Sequence, residues 1–263
     1  MHRKISPGLK AVCSPGSQVV PAGEEAWRLE TPACAGGKYR LAQLDDYTGT
    51  PRRQFPWRPP LVFSLRARAS AEGLPGTWGF GLWNDPFSLS LGFGGGTRRF
   101  PALPNTAWFF HASPPNYLSL RDDLPAQGFL AATFRSARLP APLLAALSPG
   151  AVLFTLPPAA RLLRRLARSL IRQDAVLVGE NREYTPANWH EYQISWNQDS
   201  VVFTVDGATL LNTPVSPRGP LALVIWIDNQ YAALPPTGRL SFGALPNPQP
   251  AWIEIADLSL ALP

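Results

Sequence analysis

One hairpin limits the folds open to this chain. Trp189 to Thr213 reads WHEYQISWNQDSVVFTVDGATLLNT, and within it Val201, Phe203 and Val205 alternate with Val202 and Thr204 up to Asp206-Gly207. Residues two apart in a strand point to the same side, so this run has one strongly apolar face. Asp-Gly between two such runs signals a tight hairpin turn. A strand pair with one apolar face must cover it, and the usual cover is a second packed layer.

The same alternation recurs along the chain. In LVFSLRARAS (61–70), Leu61, Phe63, Leu65 and Ala67 fall on one side, with Ser64, Arg66 and Arg68 on the other. AWRLE (26–30), KYRLAQLDDY (38–47), AWFFHA (107–112), YLSLR (117–121), GFLAATFRS (128–136), GRLSFG (238–243) and AWIEIADLSLAL (251–262) read as further short strands. LALVIWI (221–227) is apolar on both faces and should lie at the centre of a sheet. The 30 prolines and 21 glycines sit in a chain that is 45% hydrophobic, so they punctuate strands and do not signal disorder. TGTPRRQFPWRPP (48–60) cannot be a central strand, because proline lacks the ladder donor. The expected fold is all-β: a two-sheet antiparallel jelly-roll sandwich over residues 23–263, after a loosely held polar leader at 1–22.

Residues 139–175 break this pattern and read as a helix-containing insertion. In AARLLRRLARSLIRQ (159–173), Leu163, Leu166 and Leu170 share one helical face, and Arg161, Arg164, Arg165, Arg168 and Arg172 crowd another. Three readings stay open for this helix: a surface helix docked by its leucines, a lid over a cleft, or an interfacial helix on an anionic membrane or protein partner. The formal net charge of +6 is concentrated here. Without these five arginines the chain is within one charge of balance, so no nucleic-acid partner is expected.

Cys13 and Cys34 form no disulfide framework, and neither a CxxC nor a histidine cluster points to a metal. No cofactor is expected. The N-terminal residues have no apolar signal core, and no apolar run is long enough to span a bilayer. The expected location is cytoplasmic, with membrane-peripheral association as the variant that the arginine helix would bring.

The order of these segments resembles the concanavalin A-like lectin/glucanase superfamily, and most of all the family-16 glycoside hydrolases. LRARAS…GLPGTWGFGLW resembles that family's strand and Gly-Thr-Trp segment. WHEYQISWNQDSVVFTVDGATLLNT resembles its later His-x-Tyr-x-x-x-Trp hairpin, and WIEIADLSL its closing strand. The likeness covers roughly residues 60–136 and 188–262. It implies a concave saccharide-binding cleft and, in active members, a Glu-x-Asp-x-(x)-Glu strand carrying nucleophile and acid/base. Retaining hydrolysis needs two carboxyl groups about 5–5.5 Å apart.

That strand is missing its acids here. No Asp or Glu occurs from Pro86 through Arg121, and the counterpart NTAWFFHASPP offers Trp108, Phe110 and His111. Glycoside hydrolase activity is therefore not expected. The expected cleft comprises Trp78, Trp83, Trp108, Phe110 and His111, with Trp57 at its rim. Trp189, Trp196, Trp226 and Trp252 read as core. Asp45-Asp46 and Asp122-Asp123 read as turn or capping residues, His190 as packed at a strand start, and Asp206 as a hairpin residue. The preferred function is non-catalytic binding of a saccharide or other small molecule. The alternatives are an enzyme on an apolar substrate with His111 as proton carrier, and an interaction protein using the arginine helix.

Overall fold

The structure, a computed structural model, describes residues 3–5, 8–86, 102–139, 157–179 and 184–262. The Gly-rich run at 92–96, the apolar stretch at 140–156 and the acids Glu180 and Glu183 lie outside the described residues.

Two large antiparallel sheets make up most of the strand residues among those described. The first contains β1 (Arg3–Ile5), β3 (Gln18–Gly23), β4 (Ala26–Thr31), β6 (Leu61–Ala69), β11 (His190–Trp196), β12 (Val201–Val205), β13 (Ala208–Thr213) and β17 (Ala251–Leu262). Their order is β13-β12-β11-β6-β17-β4-β3, with β1 paired to the end of β17. The second contains β2 (Lys10–Cys13), β5 (Leu41–Asp45), β7 (Thr77–Trp83), β8 (Thr106–Ala112), β9 (Gly128–Ser136), β10 (Ile171–Leu177) and β14 (Ala222–Asp228). Its order is β10-β9-β8-β7-β14-β5-β2. β15 (Gln230–Ala233) and β16 (Ser241–Ala244) form a separate hairpin, and α1 (Pro157–Leu170) precedes β10.

Alternation decides what lies between the sheets. On the first sheet, Phe63, Leu65, Tyr192, Ile194, Trp196, Val201, Phe203 and Val205 all point inward. β12 alternates buried and half-buried residues along its whole length, as its sequence requires. Phe203 meets Phe109 of the second sheet edge-on at 5.3 Å, and Tyr192 meets Phe80 at 4.9 Å. These tilted contacts add to the burial itself. β14 is buried on both faces between β7 and β5, so LALVIWI is the central strand it was expected to be.

Four expectations need correction. Residues 1–22 are not a loose leader: β1, β2 and β3 pair with β17, β5 and β4. YLSLR (117–121) is not a strand; only Tyr117 bridges, to Ala233. The helix ends at Leu170, and Ile171 to Leu177 instead form the edge strand paired with β9, so the insertion closes as part of the sheet. Trp57 is a core residue and not a rim residue, with its indole N–H donating to Asp46 at 2.5 Å. Cys13 and Cys34 are free thiols. Among the described residues, no helix is long and apolar enough to cross a membrane.

Candidate functional site

The outward face of the second sheet carries a second apolar cluster, and its composition is aromatic. Cross-strand register builds it in rows. One row runs Leu130, Phe110, Gly79, Trp226, Gln43, and the next Ala132, Trp108, Gly81, Val224, Asp45. A third places Phe134, Thr106, Trp83 and Ala222 together. Trp108 and Trp226 flank the column of Gly79 and Gly81, and their ring centroids are 5.4 Å apart. Trp83 lies parallel to Trp226 at 6.3 Å and 6.1 Å from Trp108.

The two glycines are required by strand proximity. A Cβ on Gly79 would stand 2.3 Å from the Phe109 carbonyl oxygen and 2.8 Å from the Phe110 Cα. A Cβ on Gly81 would stand 2.5 Å from the Ala107 carbonyl oxygen and 2.6 Å from the Trp108 Cα. Only hydrogen fits in either place. The sequence TWGFGLW therefore produces a side-chain-free strip with indoles on both sides.

The face divides the expected cleft residues. Trp83, Trp108 and Phe110 share it. Trp78 and His111 do not: they are paired on β7 and β8 with the opposite parity, and both point between the sheets. Trp78 is 1% exposed and stacks on Phe129 at 4.6 Å and on His111 at 5.9 Å. Burial holds the His111 imidazole neutral and pushes its pKa down to about 4. A proton carrier in the cleft cannot be this residue.

Trp226 was expected in the core and instead completes the aromatic face. Trp189 and Trp252 were also expected in the core. They lie on the outer side of the first sheet, where Arg28 covers Trp252 at 4.3 Å and Arg68 sits 5.1 Å from the Trp189 ring. Glu254 joins Arg28 and Arg68 there at 2.6 and 2.7 Å. Of those four tryptophans only Trp196 is fully in the core.

A polar edge borders Trp226. Its indole N–H donates to Thr77 Oγ1 at 2.9 Å, and the Thr77 hydroxyl donates to Asp228 Oδ1 at 2.8 Å. The Tyr39 hydroxyl donates to Asp228 Oδ2 at 3.2 Å. Burial lifts the Asp228 carboxyl from its usual value near 3.8 to about 7, against the opposing pull of these donors. Asp45, on the same face, is fully buried and accepts from Gln43 and from the backbone N–H groups of Tyr47 and Thr48. It closes a turn as expected, but a buried one. The Asp46 carboxyl is raised to about 6, again by burial.

The Asp228 shift has a sign that can be measured. Between about pH 4 and 7 the folded chain keeps a proton on Asp228 that the unfolded chain releases, so this group's contribution is fullest in acid and is lost as pH rises through 7. Asp46 acts in the same direction. His111 acts oppositely, because below its unfolded value of 6.5 the unfolded chain binds the proton first. Asp228→Asn removes one slope and leaves the other two. Relative to the parent, the variant should gain about 2–3 kcal/mol in unfolding free energy between pH 5 and pH 8. Urea melts at the two pH values check this; parallel curves for parent and variant contradict it.

Helix α1 packs against the aromatic cluster in an unexpected orientation. Leu166 is 53% exposed and Leu162 55%, while Arg164 is 3% exposed. Ala167 and Leu170 pack on the aromatic cluster, together with Leu103, Leu118 and Leu120. Arg164 donates to the carbonyl oxygens of Ser119 and Leu234 at 2.8 and 2.7 Å, and pairs with Asp122 at 2.6 Å. The Arg164 hydrogen bond holds the Asp122 carboxyl below its ordinary range. Arg168 joins the same carboxylate at 3.2 Å. Arg161 and Arg165 are exposed, and Arg172 belongs to β10 and not to the helix. The five arginines thus split into a buried anchor, a supporting pair member, two outward residues and one strand residue. On the aromatic face Trp108 is 7% and Trp226 9% exposed. No group of three or more metal-ligating side chains occurs among the described residues.

No family model matches the chain, and no curated protein matches it. It is similar to several solved structures. One is a glycoside hydrolase family 16 endo-glucanase from Bacteroides ovatus, at 10% identity and a TM-score of 0.47, covering 95% of this chain and 86% of that one. Another is an immunostimulatory antigen and pseudo β-1,3-glucanase of Mycobacterium tuberculosis, at 12% identity and a TM-score of 0.45, covering 93% and 78%. A third is the binding domain of botulinum neurotoxin DC, at 8% identity and a TM-score of 0.44. The match covers 96% of this chain and 42% of that neurotoxin chain, so this chain spans less than half its length.

Proposed function

We propose that this protein is a non-catalytic binding module that holds a saccharide on the aromatic face of its second sheet. The observation that carries this reading is the grouping of Trp83, Trp108 and Trp226 on one face across the Gly79–Gly81 strip. A pyranose offers apolar C–H faces for an indole and hydroxyls at its edge. Here the rings are bordered by Gln43, Thr77, Tyr39 and Asp228, which distinguishes the face from one built of hydrocarbon alone. The indole N–H of Trp108 is buried without a hydrogen-bond partner, a donor that a ligand oxygen would satisfy.

What supports the absence of catalysis is the chemistry of β8. Its residues on this face are Thr106, Trp108, Phe110 and Ala112, none of which supplies either carboxyl group of the nucleophile and acid/base pair. The acids that do reach the face, Asp45 and Asp228, are each held by several donors. In this proposal α1, whose Ala167 and Leu170 pack on the cluster, is a lid anchored at Arg164 that lifts on ligand entry.

Titration with laminarin, lichenan and agarose oligosaccharides tests the reading. At least one should quench tryptophan fluorescence saturably, with no release of reducing ends. Loss of one stacking ring is worth roughly 1–3 kcal/mol, so Trp108→Ala should weaken binding about tenfold or more. Trp226→Phe, which keeps an aromatic ring, should weaken it less. Arg164→Gln should raise the association rate by loosening the lid. Turnover abolished by a single Asp or Glu substitution, or no quenching by any glycan, overturns the proposal.

A further inference from the structure

A cavity lies where the end of β9 meets the 216–219 loop. It has a volume of about 270 Å³ and is lined by Arg135, Arg138, Arg218, Asp199, Gln198 and Ser216, with Pro59, Pro217 and Gly219. None of these residues belongs to the aromatic cluster. We propose that this cavity binds a small oxyanion, either free or as the acidic group of a larger ligand.

Three observations converge on it. The first is charge. Three arginines and one aspartate line the cavity, and none of the ion pairs among the described residues engages Arg135, Arg138 or Arg218. Elsewhere in this molecule arginines beside acids do pair: Arg28 and Arg68 with Glu254, and Arg164 with Asp122. Arginine's planar fork matches carboxylate, sulfate and phosphate oxygens two at a time.

The second is register. Arg135 of β9 stands directly opposite Arg172 of β10. Residues paired in this way project from the same side of the sheet, and like charges so placed repel. The neighbouring acid on that ladder, Asp174, is opposite Thr133 and forms no ion pair with either arginine. An anion between the strands and the 216–219 loop would offset this repulsion.

The third is a rigid, shaped floor. Ser216 Oγ accepts from the Trp196 indole at 3.1 Å and donates to the Asn197 carbonyl at 2.6 Å. The Arg218 backbone N–H donates to Asn105 Oδ1 at 2.9 Å, and the same oxygen accepts from the Ser136 N–H at 3.2 Å. Asn105 thus ties the loop to the end of β9. A Cβ on Gly219 would press to 3.2 Å from the Trp196 ring, so the loop passes close over the core there. The loop that presents Arg218 is fixed before any anion arrives, which lowers the ordering cost of binding.

Isothermal titration at low ionic strength tests the proposal with sodium phosphate, sodium sulfate and sodium acetate as separate probes and sodium chloride as the screening control. At least one oxyanion should bind at one site per chain, beyond any effect of chloride. Preference for phosphate or sulfate identifies a tetrahedral dianion as the ligand group, and preference for acetate a carboxylate. Arg218→Gln and Arg138→Gln, both at exposed positions, should each weaken binding about tenfold. Arg165→Gln, on the outward face of α1, should leave it unchanged. No saturable binding by any probe, or equal binding by parent, Arg218→Gln and Arg138→Gln, overturns the proposal. Glycan titration of the aromatic face is unaffected by either result, so the two sites stand or fall separately.

Discussion

Gly81→Ala is expected to cost more than about 3 kcal/mol, a large share of what a domain of this kind possesses. Adding a methylene to a packed site costs about 1–3 kcal/mol when neighbours can shift. Here they are backbone: the new Cβ would lie 2.5 Å from the Ala107 carbonyl oxygen and 2.6 Å from the Trp108 Cα. Gly81 also has φ of +152°, a conformation that side-chain-bearing residues rarely adopt. Relief requires β7 and β8 to separate, and with them Trp83 and Trp108. Urea denaturation should show the loss, and near-ultraviolet circular dichroism should show a changed indole environment. A stable Gly81→Ala protein with parental spectra would mean that the side-chain-free strip is not what spaces the aromatic rings.

Phe203→Ala is the second large effect. The ring is fully buried on β12 and meets Phe109 at right angles across the sheet interface. Truncation removes apolar burial and leaves a cavity that the surrounding strands cannot collapse, at a cost of about 3–5 kcal/mol. Thr204, one residue on, is half-buried on the other side of the strand, so Thr204→Ala should change stability by less than about 1 kcal/mol. The contrast between the two, measured by thermal or urea melts, reads out the orientation of β12. Similar losses at both positions would place the strand between two packed layers.

The two effects address different halves of the protein. Phe203 belongs to the layer that makes it a sandwich. Gly81 belongs to the outward face, where the proposed function resides. A Phe203→Ala protein that still folds at low temperature should retain glycan quenching, because the aromatic face does not include that ring.

How much of this was readable from the chain depends on whether a segment has two unlike faces. β6, β11 and β12 alternate apolar with polar residues, and their inward faces follow directly from the spacing. The Asp206-Gly207 turn was equally legible, since Asp206 adopts φ of 50° and Gly207 of 75° as such a turn demands. β14 was recognisable as central because nothing in it needs water.

β7 and β8 carry no such asymmetry. TAWFFHA is apolar or aromatic at nearly every position, and all seven residues are buried. Either parity would satisfy burial, so the sequence could name Trp78, Trp108, Phe110 and His111 as neighbours but not say which two face outward. Strand pairing settled it, by placing Trp78 beside His111 and Trp108 beside Gly81. The same limit hid Trp226, whose strand is apolar throughout.

The arginine helix shows the opposite difficulty. Its periodicity correctly placed a helix, and hydrophobicity alone would turn its leucines inward. Tertiary contacts turned Arg164 inward, because Asp122 and the carbonyls of Ser119 and Leu234 stand where a buried guanidinium can be satisfied. Those partners are 42, 45 and 70 residues away in the chain. Local patterning thus determined the strands, the turns and the sandwich, since each depends on residues a few positions apart. Which aromatic rings share a face, and which side of α1 meets them, was decided only by register and by distant hydrogen-bond partners, which no short-range period encodes.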